Sequence, residues 1–188
     1  EGKWSFADGV RRLEDARLSV SDRTDGIARF EPLVSENAVL TFDGSDITAL
    51  ASLQHPASGS KVLDTRVDHN LAGESGSAIL TVDALEFGPS LSLADLTFLA
   101  VGVVAYTDGT ITGDGRVDWS PDTVTSTGTL KTVGEEGLRL AAAFGPVNAM
   151  RGEIRFTDLL NLTTAPSQVI EIGAINPGIE ALDGTVRF

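Results

Sequence analysis

The stretch Phe144–Phe188, FGPVNAMRGEIRFTDLLNLTTAPSQVIEIGAINPGIEALDGTVRF, contains one short pattern twice. The copies are Met150–Phe156 (MRGEIRF) and Leu182–Phe188 (LDGTVRF), and both read apolar, charged, Gly, polar, β-branched, Arg, Phe. Because successive side chains of a strand point to opposite faces, each copy predicts a strand with its β-branched residue and Phe on one face and its Arg on the other. The glycines, Gly152 and Gly184, are predicted to lie where each strand begins, with a positive φ or a close backbone contact.

Weaker echoes of the pattern occur at Asp25–Phe30 and Gly113–Trp119. The echoes are irregularly spaced, and each is a strand that begins at a glycine. Such a recurrence is typical of an extended array of strands rather than of a compact enzyme.

The rest of the chain has the same character, because short alternating runs are bounded by turn residues and helical periodicity is nearly missing. The sequence therefore predicts an all-β fold of about a dozen strands. Ser92–Leu99 is either a short helix capped by Ser92 or a buried strand, and Asp158–Asn161 is a single helical turn capped by Asp158. Predicted strands include Lys3–Ala7, Ile27–Phe30, Asn37–Phe42, Asp46–Gln54, Lys61–Asn70, Ser77–Phe87, Val124–Val133, Leu138–Phe144 and Gln168–Ile175.

Composition excludes several classes of partner. The chain has 27 acidic and 14 basic residues, a net charge of -13, which opposes binding to nucleic acid and to anionic membranes. No run reaches the roughly 18 apolar residues of a membrane span, so membrane contact and any anchor are expected in parts of the protein outside this fragment. The sequence does not begin with Met, and residues 1–188 are expected to be a single fragment of a larger protein.

The chain offers little for catalysis or metal binding. It has no Cys and two histidines, His55 and His69, which are not spaced as metal ligands and are expected to be solvated. No G-x-S-x-G motif is present. The aspartates near Gly-rich turns do not form a calcium loop and are expected to cap turns. We expect no catalytic residue, no metal and no cofactor.

The arginines bear on small-anion binding. A site that binds a dicarboxylate requires several arginine side chains that converge in a concave surface. The eleven arginines here are scattered along the polar faces of the strands, so pairing with Asp and Glu across neighbouring strands is the expected role.

What remains is the apolar face of the strands. From composition alone, a packed sandwich is the simpler explanation, because one-sided strands are what any sandwich needs.

Four segments carry a resemblance to a known family: LAVGVVAYTDGTITGDGRVDWSPDTVTSTGTL (99–130), AAAFGPVNAMRGEIRFTDLL (141–160), TAPSQVIEIGAINPGIE (164–180) and LDGTVRF (182–188). They resemble the C-terminal part of YdbH-like proteins, which belong to the wider AsmA-like group of periplasmic bridge proteins. The conserved domain of that family carries a historical "dicarboxylate transport" label, which the scattered arginines disfavour. The resemblance covers roughly residues 40–188, and its motifs are strand and turn signatures rather than catalytic ones.

The resemblance implies a long bent antiparallel sheet that forms an open U-shaped groove with an apolar concave face. It implies a segment of a periplasmic bridge in a Gram-negative bacterium, tethered to the inner membrane by a segment outside this fragment. Phospholipid acyl chains would be its partners, and edge strands could pair with neighbouring chains. The groove candidates are Val117, Trp119, Leu138, Leu140, Phe144, Ile154, Phe156, Ile170, Ile172, Val186 and Phe188.

Two alternatives stay open. One is a periplasmic sandwich module that binds a ligand such as a sugar, for which Tyr106 is the plausible exposed aromatic residue. The other is a structural spacer whose apolar face is sealed by packing.

Overall fold

One antiparallel sheet contains all thirteen strands of the residues that the computed structural model describes, which are 2–23, 25–26 and 28–188. The N-terminal strands are β1 (Lys3–Ala7), β2 (Val10–Val20), β3 (Leu33–Asp43), β4 (Asp46–Gln54), β5 (Lys61–Asn70), β6 (Ser75–Phe87) and β7 (Val104–Trp119). The C-terminal strands are β8 (Val124–Val133), β9 (Leu138–Ala142), β10 (Gly145–Asp158), β11 (Thr163–Thr164), β12 (Val169–Ile175) and β13 (Ala181–Arg187).

The strands follow the chain almost without crossing. Their order is β1-β2-β3-β4-β5-β6-β7-β8-β10-β12-β13, while β9 pairs with both β7 and β10, and β11 pairs with β10. Each pair of neighbours is antiparallel, and most of them are joined by short turns, although longer segments connect β2 to β3 and β6 to β7. Within the described chain, β1 pairs only with β2 and β13 only with β12, so both edges of the sheet are unpaired.

Most predicted strands are confirmed, several with the same bounds, among them Lys61–Asn70 and Val124–Val133. The predicted strand at Ile27–Phe30 is wrong, because residues 28–30 form an irregular segment and Ile27 lies outside the described residues. The predicted strand Leu138–Phe144 ends earlier, at Ala142.

The two segments that the sequence predicts to be helical form short turns. Ser92–Leu99 forms no strand: the 3₁₀ turn Leu93–Asp95 lies within it, and a second one, Phe98–Ala100, begins near its end. The Asp95 carboxylate accepts hydrogen bonds from the backbone N–H and the hydroxyl of Ser92, at 2.7 and 2.8 Å. After β10, the Asp158 carboxylate accepts a hydrogen bond from the Asn161 N–H at 3.1 Å, which caps that turn as predicted.

The two repeat copies lie on either side of β12 and run parallel to each other. Ile170 is opposite Gly152 on β10 and Val186 on β13, so the copies are displaced by two residues. A Cβ added to Gly152, whose φ is +154°, would lie 2.7 Å from Ile170 Cδ1, which confirms the predicted close contact. The same prediction is wrong for Gly184, which has an ordinary φ and open space around an added Cβ.

Neither glycine begins its strand, since both lie within one. The irregular backbone lies elsewhere in each copy, at Ala149 (φ 51°) and Asp183 (φ 54°). By the pairing register these residues flank Gly173 from either side, and a Cβ added to Gly173 would lie 2.7 Å from Ala149 Cβ. Two positions of irregular backbone therefore flank Gly173 on β10 and β13.

A packed core covers one end of the sheet, where β3 and β5 begin and β4 and β6 end. Leu93 in the first 3₁₀ turn and Leu96 just after it pack against this core, and Leu91 just before them is 1% exposed. The buried cluster consists of Ala16, Leu33, Ala38, Ala51, Leu53, Val62, Leu85, Phe87, Leu91 and Leu138.

The rest of the chain is open to solvent to an unusual degree. The accessible surface of the whole chain, core included, is 11284 Å². A compact monomer of its mass, 19.7 kDa, would expose roughly 8,600 Å². A single extended sheet with a core at one end accounts for this excess, because much of its apolar face has no second sheet against it.

Candidate functional site

One face of the sheet is mainly apolar. The pairing registers relate its residues on neighbouring strands: Val67 lies opposite Ala78, Ala78 opposite Val117, Gly113 opposite Leu130, and Leu130 opposite Ile154. Partners in an antiparallel pair share a face, so these side chains point the same way. We call this surface the apolar face; it includes Trp4, Phe6, Leu13, Leu40, Phe42, Ile47, Ala49, Val67, Ala78, Leu80, Val117, Trp119, Leu130, Ile154, Phe156, Ile170, Ile172, Val186 and Phe188.

Glycines on this face are covered by large neighbours. A Cβ added to Gly76 would lie 2.6 Å from Trp119 Cζ2, and one added to Gly113 would lie 2.7 Å from Leu130 Cδ2. The alternation of Ile111, Gly113, Gly115, Val117 and Trp119 in β7 therefore places bare backbone beneath apolar side chains of adjacent strands.

The opposite face is polar and largely ion-paired. Arg116 and Arg66 each bind an aspartate two residues further along the same strand, with Arg116 Nη2 2.6 Å from Asp118 Oδ1 and Arg66 Nε 2.8 Å from Asp68 Oδ2. These pairs lower the pKa of Asp118 and Asp68, chiefly through the arginine hydrogen bonds. The predicted cross-strand pairing of arginines is only part of the pattern: Arg139 Nη2 lies 3.4 Å from Asp108 Oδ1 on the neighbouring strand, while the shorter pairs of Arg66 and Arg116 lie within one strand.

Ten of the eleven predicted groove residues lie on the apolar face. Nine of them are within strands, and Phe188 follows β13 with its backbone hydrogen-bonded to Gln168. Leu138 and Ile170 are buried, whereas Val186 and Phe188 are 45% and 46% exposed. Five more, Val117, Trp119, Ile154, Phe156 and Ile172, are half-buried on the main strand path, and Leu140 is half-buried on β9 opposite Val147 and Thr107.

Phe144 does not join them. It lies in the turn between β9 and β10 and is 57% exposed. The strand ends at Ala142, so the alternation that links Phe144 to Leu138 continues past the end of the strand.

Beyond the packed core, one end of the apolar face carries a polar contact. Trp119 Nε1 donates a hydrogen bond to His69 Nδ1 at 3.1 Å, and the two rings are 5.9 Å apart. His69 is therefore not the solvated residue that the sequence predicts. An open cavity of about 590 Å³ lies beside the pair, lined in part by Ile47 and Ser77.

A covering turn lies over the middle of the face. A Cβ added to Gly115 would lie 2.9 Å from Leu159 Cδ2, and one added to Gly128 would lie 3.2 Å from the same atom. Sequence reasoning identifies the turn at Asp158–Asn161 but not this position. The only available signal is the pair of bare glycines, which implies that some side chain covers them.

The remaining predictions concern Tyr106 as a sugar-binding residue, metal sites and membrane-spanning helices. Tyr106 is exposed, and its hydroxyl donates to Asp108 Oδ2 at 2.7 Å, so the hydroxyl already has a partner within the chain. Among the described residues there is no group of three or more His, Cys, Asp or Glu side chains placed to hold a metal ion. Nor does the described part of the chain contain a helix with the length and apolar character needed to cross a membrane.

Comparison with known proteins gives the family. A protein-family model described as "YdbH-like: Intermembrane phospholipid transport protein YdbH" matches residues 1–188. The chain belongs to the YdbH-like family. Neither a search of curated proteins nor one of solved structures returned a match. The YdbH-like chain is thus a member of a family of intermembrane phospholipid transport proteins, with an all-β structure that has an apolar and a polar face.

Proposed function

We propose that this YdbH-like chain is a segment of a periplasmic bridge that carries phospholipids between the inner and outer membranes of a Gram-negative bacterium. Acyl chains would lie against the apolar face, and headgroups would stay in solvent. The observation that carries the proposal is the pairing register, which keeps mainly apolar side chains on one face of the sheet, opposite a face of ion pairs.

The dimensions suit such a role. Eleven strands in one path have ten spacings of ~4.8 Å, so the face extends about 48 Å along the hydrogen-bonding direction. An acyl chain in one leaflet spans about half of a ~30 Å hydrocarbon core. Burial of the tails supplies about 0.8 kcal/mol per CH₂ without any specific polar contact, so binding tolerates different chain lengths.

The edges allow the bridge to continue. Trp4 and Phe6 on β1 are each 70% exposed, and every residue of β13 is exposed. Unpaired edge strands with free N–H and C=O groups are templates for another strand. We therefore extend the proposal to pairing of β1 or β13 with neighbouring segments, and place the inner-membrane tether in another part of the protein.

Within this proposal the chain acts by burial and not by chemistry. The tails are held by contact with side chains such as Ile154, Phe156 and Val186, and no bond is made or broken. The older idea of dicarboxylate transport fits less well, because arginines such as Arg66 and Arg116 already hold aspartates on the polar face.

A structural spacer is a second candidate, which the packed core at one end favours. The two functions are separated by native mass spectrometry of the full-length protein purified in a mild detergent. Co-purifying phospholipid that is reduced by Ile154→Asp and Val186→Asp supports the bridge. The matched variant Ile79→Asp changes an exposed residue on the polar face and is expected to leave the lipid unchanged. Equal lipid in all three variants would contradict the bridge, and absence of lipid from the unaltered protein would favour the spacer.

A further inference from the structure

Two segments from distant parts of the sheet meet over the apolar face. The first is the irregular segment before β3, where the Arg29 guanidinium donates to the Asp22 carboxylate from Nε at 2.8 Å. This segment is also fixed to the 3₁₀ turns, because the Thr97 hydroxyl donates to the Arg29 carbonyl and the Glu31 N–H donates to the Leu96 carbonyl.

The second segment is the turn after β10. Ser126 on β8 holds it, donating from its hydroxyl to Asp158 Oδ1 at 2.8 Å and accepting from the Leu160 N–H at 3.0 Å. Between these two anchors, the Leu159 side chain points down onto Gly115 and Gly128.

A hydrogen bond joins the two segments: Arg29 Nη1 donates to the Leu160 carbonyl at 3.2 Å. Strands β3 and β10 are six positions apart in the sheet, which corresponds to about 29 Å if the sheet were flat. The contact therefore requires the curved sheet and its loops to bring the two sides together over the apolar face. We call Arg29 with residues 158–160 the latch.

The latch occupies the path that an acyl chain would take. Beneath Leu159 the floor is bare backbone at Gly115 and Gly128, with the Leu80 side chain beside Gly115, so the leucine fills a shallow trough. The hydrogen bond between Arg29 and the Leu160 carbonyl connects a long, flexible side chain to a turn. This bond can break without the loss of any hydrogen bond between strands.

We propose that the latch divides the apolar face into two compartments, one on the β4–β5 side and one on the β10–β12 side, and that it opens to let an acyl chain pass. This inference rests on the proposed lipid-carrying function. In the closed form, Leu159 takes the place of the lipid tail, and in the open form the glycine trough connects the compartments.

Photo-crosslinking in the full-length protein tests the latch. A photoreactive amino acid replaces Val67 in one compartment or Ile172 in the other, and the probe is phosphatidylethanolamine with radiolabelled acyl chains. The latch is locked by Arg29→Cys with Leu160→Cys, joined by a short bis-maleimide. The chain described here contains no other cysteine, and any elsewhere in the protein are removed. The control lock is Lys61→Cys with Asp83→Cys, an exposed ion pair of similar length.

We expect lipid adducts at both positions in the unbridged protein and in the control lock. Bridging residues 29 and 160 should abolish the adduct at one of the two positions. Adducts at both positions in the bridged protein would overturn the latch and leave the lipid-carrying function standing. No adduct at either position in the unbridged protein would overturn the function and the latch together.

A second variant tests the latch without a cross-link. Leu159→Ala should speed labelling of the compartment that the lock excludes, because the trough is then empty. Leu162→Ala, in the same turn but 50% exposed, should leave the labelling rate unchanged. Equal rates for the two variants would contradict the role of Leu159.

Discussion

The side-chain amide of Gln168 forms two hydrogen bonds with the backbone of Arg155, in the way that the backbone of a neighbouring strand would. The Arg155 N–H donates to Gln168 Oε1 at 2.6 Å, and Gln168 Nε2 donates to the Arg155 carbonyl at 3.1 Å. The backbone of Gln168 meanwhile pairs with Phe188, at 3.0 Å and 3.3 Å. Gln168 therefore links two elements: its side chain binds Arg155 near the end of β10, and its backbone binds Phe188 at the end of the second repeat copy.

Replacing Gln168 by Leu should destabilise the chain, because the part-buried Arg155 N–H loses its partner while the carbonyl keeps a hydrogen bond from the Ala165 N–H. An unsatisfied buried donor costs about 1–3 kcal/mol. Urea unfolding measures the loss, and hydrogen exchange at the Arg155 amide should accelerate. Ser167→Ala, on the exposed neighbour, is the control, and an equal loss in both variants would contradict this role.

The two repeat glycines give a matched pair of substitutions. Gly152→Ala should cost about 1–3 kcal/mol, because its Cβ would meet Ile170 Cδ1 at 2.7 Å and the Val169 carbonyl oxygen at 3.1 Å. Gly184→Ala should be neutral or stabilising by about 0.4–1 kcal/mol, since the added Cβ meets open space and the unfolded chain loses freedom. Denaturant midpoints of the two variants check this, and similar costs at both sites would show that the copies are equivalent.

Strand positions could be predicted because they depend on neighbours in the sequence. The alternation between turn residues is enough to bound Lys61–Asn70 and Val124–Val133. Phe144 shows the limit of this reasoning, since the alternation continues into a turn that Gly145, with φ 128°, then closes. A repeat of apolar residues alone does not mark where hydrogen bonding ends.

The missed features all depend on residues far apart in the chain. The position of Leu159 over Gly115, the two-bond contact of Gln168 and the His69–Trp119 hydrogen bond join segments that sequence patterns treat separately. The apolar face was predictable strand by strand. The sequence did not predict that one end of this face is packed and the rest is open, because the difference depends on where the 3₁₀ turns pack against the sheet.

Stability should fall in acid. Hydrogen bonds lower the pKa of Asp158, first from the Asn161 side chain and then from Ser126, and a lysine hydrogen bond lowers the pKa of Asp64. A carboxylate with a depressed folded-state pKa stabilises the fold above its unfolded pKa, near 3.9, and loses that contribution as the pH falls through the folded value. Urea midpoints should be level near neutrality and should decline below about pH 4.

The control for this prediction is Asp158→Asn, which removes one titrating group. Its unfolding midpoint should depend less steeply on pH below about 4 than that of the unaltered chain. A rise in stability on acidification, or an unchanged slope in the variant, would contradict the assignment of Asp158.

Whether the apolar face is open decides between conduit and sealed module, and three aspartate substitutions test it. Val186→Asp should leave the unfolding midpoint near native, because this side chain is 45% exposed and its carboxylate can stay hydrated. Ile154→Asp, at a half-buried position, should retain a cooperative transition at a lower midpoint. Leu53→Asp, at 4% exposure within the packed core, should abolish the folded transition, since a buried unpaired charge costs several kcal/mol. Both face variants should lose phospholipid transfer in the full-length protein while remaining folded. If Ile154→Asp and Val186→Asp unfold as completely as Leu53→Asp, the apolar face is a sealed core and the conduit is wrong.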